Sequence, residues 1–181
     1  MTAPSARPSP PLRHLVRRFV GALSPSGPDA EAEEWVRQTL SPAEIDLWRQ
    51  MTGPDRRHAV VVARRVVAEL GPAGATAPVR AAALLHDVGK VESGLGTLGR
   101  VPATALGMIS GHRRAGHWAS GRGPLGRVGR YLDHSRIGAE LLEQAGSDPL
   151  TVAWAAEHHL PAGRWSLPAR VAAALKAADD D

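Results

Sequence analysis

The chain has no cysteine among its 181 residues. That excludes a disulfide framework and thiolate metal sites, and it gives no sign of an oxidising compartment. Long apolar runs are missing too: none approaches the ~20 residues that a membrane-spanning helix needs. The first ten residues, MTAPSARPSP, have no apolar core of secretory type directly behind them. No cleaved signal is expected, and the cytoplasm is the expected location.

Lysine is scarce. Lys90 and Lys176 are the only two, so the net charge of +4 rests on arginine. Abundant Ala and Arg with scarce Lys is what a GC-rich genome produces, so a high pI alone does not imply nucleic-acid binding. A positive field still favours an anionic substrate. Phe19 and Tyr131 are the single phenylalanine and the single tyrosine. Single-strand binding surfaces interleave aromatics with cations. The Arg- and Gly-rich run 111–130 lacks that interleaving, which ranks nucleic-acid binding a distant third among the readings.

Strand-like alternation and internal repeats are also absent. The chain reads as all-α, one domain with enough length for a sizeable core. Residues 1–11 are rich in Pro and Ser and are expected to be disordered. Residues 12–53 read as an N-terminal helical extension and 54–181 as the main domain. Within the extension, 12–23 is a basic packing helix. Asp29 caps a helix through Thr39. Ser41-Pro42-Ala43-Glu44 is a capping box that opens a helix to about Gln50.

Gly53-Pro54-Asp55 opens the next helix, which runs to Leu70 and puts His58, Val62 and Val66 on one stripe. Thr76 and Pro78 start a helix that ends at His86-Asp87. A short helix is expected near 101–110, then a mobile basic loop over 111–130. His112 and His117 fall there and read as surface histidines. Helices follow at 134–145, at 149–159 with Leu150, Trp154 and His158 on one face, and at 168–179.

The strongest signal is the segment 81–90, AAALLHDVGK. An apolar helix ends on two adjacent metal-ligand side chains and then breaks at Gly89. Such groups are rare at the end of a buried helix unless something pairs with them. Partners lie along the chain: His58 before, then His134, His158-His159 and Asp179 after. Five of the eight histidines fall in this series. Imidazole with carboxylate suits Fe, Mn, Zn or Ni, whereas a hard Mg or Ca site would not need so many histidines. A helical bundle can point such residues at one centre.

The series H…HD…H…HH…D resembles the HD-domain superfamily of metal-dependent phosphohydrolases, over about residues 54–179. The motif LLHDVGK, the block DHSRIGAELL at 133–142, Glu157-His158-His159 and Ala177-Ala178-Asp179 carry the resemblance. It is similar to the branch that binds two metals. The resemblance implies an HD-domain-like helical bundle and a phosphohydrolase acting on a phosphoester or phosphoanhydride bond of a nucleotide-like substrate, through metal-activated water. It implies that His58, His86, Asp87 and Asp179 hold one divalent metal. His134, His158 and His159 hold a second, with Asp87 bridging. Fe or Mn is the expected metal, with Zn, Ni or Co as alternatives. Lys90 would aim a cation at the substrate phosphate, and Glu92 and Arg136 are further candidates for supporting contacts. The Gly-Tyr-Pro signature of cyclic-dinucleotide phosphodiesterases is absent: Leu160 to Pro168 stands in its place. The competing reading is a non-catalytic metal- or nucleotide-sensing module with the same ligands.

Overall fold

The computed structural model describes residues 26–95, 118 and 120–180. The expected tail at 1–11, the basic helix at 12–23, the short helix at 101–110, and His112 and His117 lie outside the described residues.

The described residues are all-α, as expected, with no strand among them. The first two helices are α1 (Ala30–Thr39) and α2 (Pro42–Gln50). Asp29 caps α1 by accepting from the Ala32 amide at 2.8 Å. At α2 the capping box closes both ways: Ser41 N donates to Glu44 at 2.8 Å, and Glu44 N donates to Ser41 Oγ at 3.3 Å. Both helices share the main hydrophobic core through Val36 and Trp48. Trp48 Nε1 donates to Glu33 at 3.0 Å, and Arg56 pairs with the same carboxylate.

Helix α3 spans Gly53–Gly74, with a break at Gly71, whose φ of 68° is left-handed. Helix α4 (Ala77–Leu85) is the axis of the fold. Val79 and every residue from Ala81 to Leu85 are buried, so it is apolar all round. It packs between α3 and α7 (Pro149–Glu157), with α8 (Ala169–Asp180) laid on α3. Each fully buried leucine of α4 contributes about 1.5–3 kcal/mol. The 3-10 turn Val88–Ser93 follows α4 and is covered by α5 (Gly123–Leu132) and α6 (His134–Gln144).

Helix α5 corrects the expected loop over 111–130, since its second half, from Gly123 on, is helical. Three glycines in ten residues weaken the local helix signal by up to ~1 kcal/mol each. Tertiary contact overrides that. A Cβ on Gly126 would stand 2.0 Å from the Gly121 carbonyl oxygen, so glycine is required there. Arg127 Nε donates to the Ser93 carbonyl at 3.3 Å and Arg130 Nε to the Glu92 carbonyl at 2.8 Å. These arginines clamp the end of the 3-10 turn. No helix among the described residues is long and apolar enough to cross a membrane.

Candidate metal centre

Ligand-type residues from five helix ends meet in the core. His58 comes from the first turns of α3, and His86 and Asp87 come from the end of α4. His134 opens α6, His158 and His159 follow α7, and Asp179 lies near the end of α8. They form two groups that could each hold a metal ion: His58, His86 and Asp179, and Asp87, His134, His158 and His159. All seven residues singled out in the sequence are in one group or the other.

Asp87 stands between the groups. Its Oδ1 lies 3.2 Å from His134 Nε2 and 3.8 Å from His158 Nε2. Its Oδ2 lies 3.4 Å from His86 Nε2. Asp179 Oδ1 is 3.1 Å from His58 Nε2 and 3.4 Å from His86 Nε2. His159 Nε2 and His134 Nε2 are 3.1 Å apart. The centre reaches solvent at His159 and at the half-buried His58, while His86 and His158 are sealed.

Three rings are oriented by one device. His86 Nδ1 faces the Ala83 carbonyl at 2.9 Å, and His158 Nδ1 faces that of Ala155 at 2.9 Å. His134 Nδ1 faces the Tyr131 carbonyl at 2.7 Å. In each case the acceptor is three residues earlier, at a helix C-terminus whose last carbonyls lack helical partners. A carbonyl only accepts, so each Nδ1 carries a hydrogen and each Nε2 faces inward, where it offers a lone pair whenever it is not protonated. The Nε2 atoms of His86 and His158 are buried and have no well-formed hydrogen bond. Inward imidazole lone pairs beside two carboxylates are a donor set that a divalent transition metal fits.

Electrostatics separate the histidines. Burial opposes charge on His86, but Asp87 and Asp179 outweigh it and raise its pKa to about 10. Burial, then the charge of His86, lower His158 to about 3. Burial and His134 lower His159 to about 4. Burial acts to raise both carboxyls. Lys90 and His86 nonetheless bring Asp87 well below the usual carboxylate range, and His58 and His86 do the same for Asp179.

Lys90 is not an exposed helix-end lysine. Its Nζ donates to Asp87 Oδ2, and its side chain is only 18 % exposed. Glu92 and Arg136 stand apart from the seven clustered residues. Glu92 is exposed and lines a separate surface cavity of about 360 Å³ together with Arg136. Arg136 is 55 % exposed and pairs with Asp133 at 2.6 Å and Glu140 at 2.5 Å on its own helix. Among the described residues neither bonds to the seven clustered ones.

Sequence reasoning missed the supports. Tyr131 gives its carbonyl to His134 and stacks its ring on that imidazole at 6.0 Å. Arg65 donates to the Ala178 carbonyl at 3.2 Å, next to Asp179. Glu157 holds the loop after the paired histidines by accepting from Ser166 N at 2.6 Å and Ser166 Oγ at 2.7 Å. The available signal was a histidine placed just past the end of a helix, where free carbonyls orient it.

A family model described as HD domain matches residues 57–180 of this chain. No curated protein and no solved structure matches it.

Proposed function

The chain belongs to the HD-domain family, and from that premise we propose that it is a metal-dependent phosphohydrolase with two metal positions. The reaction is hydrolysis of a phosphoester or phosphoanhydride bond in a nucleotide-like substrate. His58, His86, Asp87 and Asp179 hold one metal, and His134, His158 and His159 hold the other, with Asp87 shared. The observation that supports this most is Asp87 itself, a buried carboxylate that turns one oxygen to each histidine group.

Divalent metals bound there supply Lewis acidity and a water activated for attack on phosphorus at neutral pH. The chain's own residues do the rest. Ala83, Tyr131 and Ala155 hold three imidazoles in one tautomer through their carbonyls. Lys90 carries the cation closest to Asp87 and provides charge for a phosphate oxygen. His58 and His159 mark the side from which substrate enters, because they are the more open members of the two groups. Fe and Mn suit this mixed imidazole and carboxylate set.

Metal content per chain tests the reading, on anaerobically purified wild type beside Asp87→Ala. Two equivalents in wild type, lost in the variant, are expected, with helix content unchanged. A phosphate-ester screen should then give turnover in wild type alone. One equivalent would leave one of the two groups without metal and reject the two-metal reading. Metal without turnover on any phosphate ester would favour a sensing module with the same ligands. Full metal retention in Asp87→Ala would sink the assignment.

A further inference from the structure

Asp87 is served unequally on its two sides. Among the described residues Oδ1 meets only imidazole, from His134 and His158. Oδ2 meets His86 and also accepts a bond from Lys90 Nζ. The pair is local: Asp87 immediately precedes the 3-10 turn and Lys90 lies three residues on. A 3-10 turn eclipses side chains at that spacing, so the ammonium is delivered onto the carboxylate. Asp87 and Lys90 are 9 % and 18 % exposed, and water screens such a pair weakly. A buried carboxylate needs a counter-charge, and here the chain supplies one itself. A metal on the His86 side would seek the same oxygen.

We propose that Lys90 is a resident cation that competes with metal for Asp87 Oδ2. Loading of the His58, His86 and Asp179 side is then an exchange of one cation for another. The His134, His158 and His159 side meets only Oδ1 and loads first. The exchange also frees the Lys90 ammonium for an incoming phosphate. Asp55 on α3 adds a second negative charge that acts on Lys90. This inference rests on the ligand assignment made above.

The test is calorimetric titration of chelator-stripped, full-length protein with Mn²⁺, as wild type, Lys90→Met, Lys90→Gln and Asp87→Ala. Wild type is expected to show a tighter and a weaker class of Mn²⁺. Both Lys90 variants should tighten the weaker class by about tenfold or more, because a like charge a few ångströms away has gone. Without metal, both should melt below wild type, because Asp87 has lost its partner. Unchanged or weaker second binding in folded Lys90 variants overturns the exchange. If both variants fold only with Mn²⁺ present, the rise of melting temperature with Mn²⁺ concentration reads the same affinity. Asp87→Ala separates the two levels. Metal retained there sinks the ligand assignment, whereas metal lost there with no tightening in the Lys90 variants sinks the exchange alone.

Discussion

Gly89 and Gly138 touch backbone to backbone. A Cβ on Gly89 would stand 2.5 Å from the Gly138 nitrogen and 2.0 Å from the His134 carbonyl oxygen. A Cβ on Gly138 would stand 3.1 Å from the Gly89 nitrogen. The glycine after His86-Asp87 is therefore a spacing device. It lets the turn that carries Lys90 lie directly on the first turns of α6, and so brings Asp87 within 3.2 Å of His134.

Gly89→Ala should consequently cost about 2–3 kcal/mol or more, because the obstructing atoms are backbone and have no other rotamer. Metal bound through His134 should be lost with it. Gly138→Ala should be much milder, since its contact is looser and alanine improves the helix by up to ~1 kcal/mol. Urea unfolding and metal content of the two variants provide the check. A Gly89→Ala variant as stable as wild type would show that the close approach does not require glycine.

Stability of the metal-free protein should peak near pH 6.5, the ordinary histidine value. His158 and His159 have pKa values lowered to about 3 and about 4. Between those values and 6.5 the unfolded chain binds more protons, so stability falls as pH falls through that window. His86 is raised to about 10. Its contribution is full below about 6.5 and is lost as pH rises towards 10. Thermal melts of chelated protein from pH 4 to 10 would show the two slopes. A monotonic rise through pH 9 would show that His86 is not held protonated.

Metal binding should release protons, and affinity should rise with pH across the neutral range. In the metal-free state His86 carries its extra proton between Asp87 and Asp179, and a metal needs that Nε2 lone pair. Calorimetry in buffers of different ionisation enthalpy counts the released protons. No release at pH 7 would contradict the placement of His86 in the ligand set.

Glu157→Ala should cost about 1 kcal/mol and leave metal content unchanged. Its carboxylate holds the Ser166 amide and hydroxyl and has no recorded contact with the histidine groups. Ser41→Ala should behave alike, at about 1 kcal/mol, through loss of the capping box on α2. Loss of metal in Glu157→Ala would mean that the loop following His159 sets the position of that ligand.

Much of this molecule was legible because its signals are local. The caps at Asp29 and Ser41 and the apolar run of α4 depend on hydrogen bonds and burial within a few residues, and each helix forms where they predict. The seven clustered residues were legible because their types are costly to bury unpaired. Helix α5 was not, because its glycines speak against a helix locally and its anchoring lies across space, at the carbonyls of Ser93 and Glu92. Arg136 sits two residues from His134 in sequence, yet it points along its own helix to Asp133 and Glu140, an orientation set by helix geometry.

The sequence by itself determined the all-α class, the helix starts and the identity of the residues that meet at the centre, because propensity, capping and the cost of buried polar groups belong to residue types. Only the tertiary structure decided which oxygen of Asp87 faces which group, that backbone carbonyls orient three of the imidazoles, and that Lys90 rests on that carboxylate. Those outcomes depend on distances between helices far apart in the chain, and glycine at both Gly89 and Gly138 lets two of those backbones approach closely.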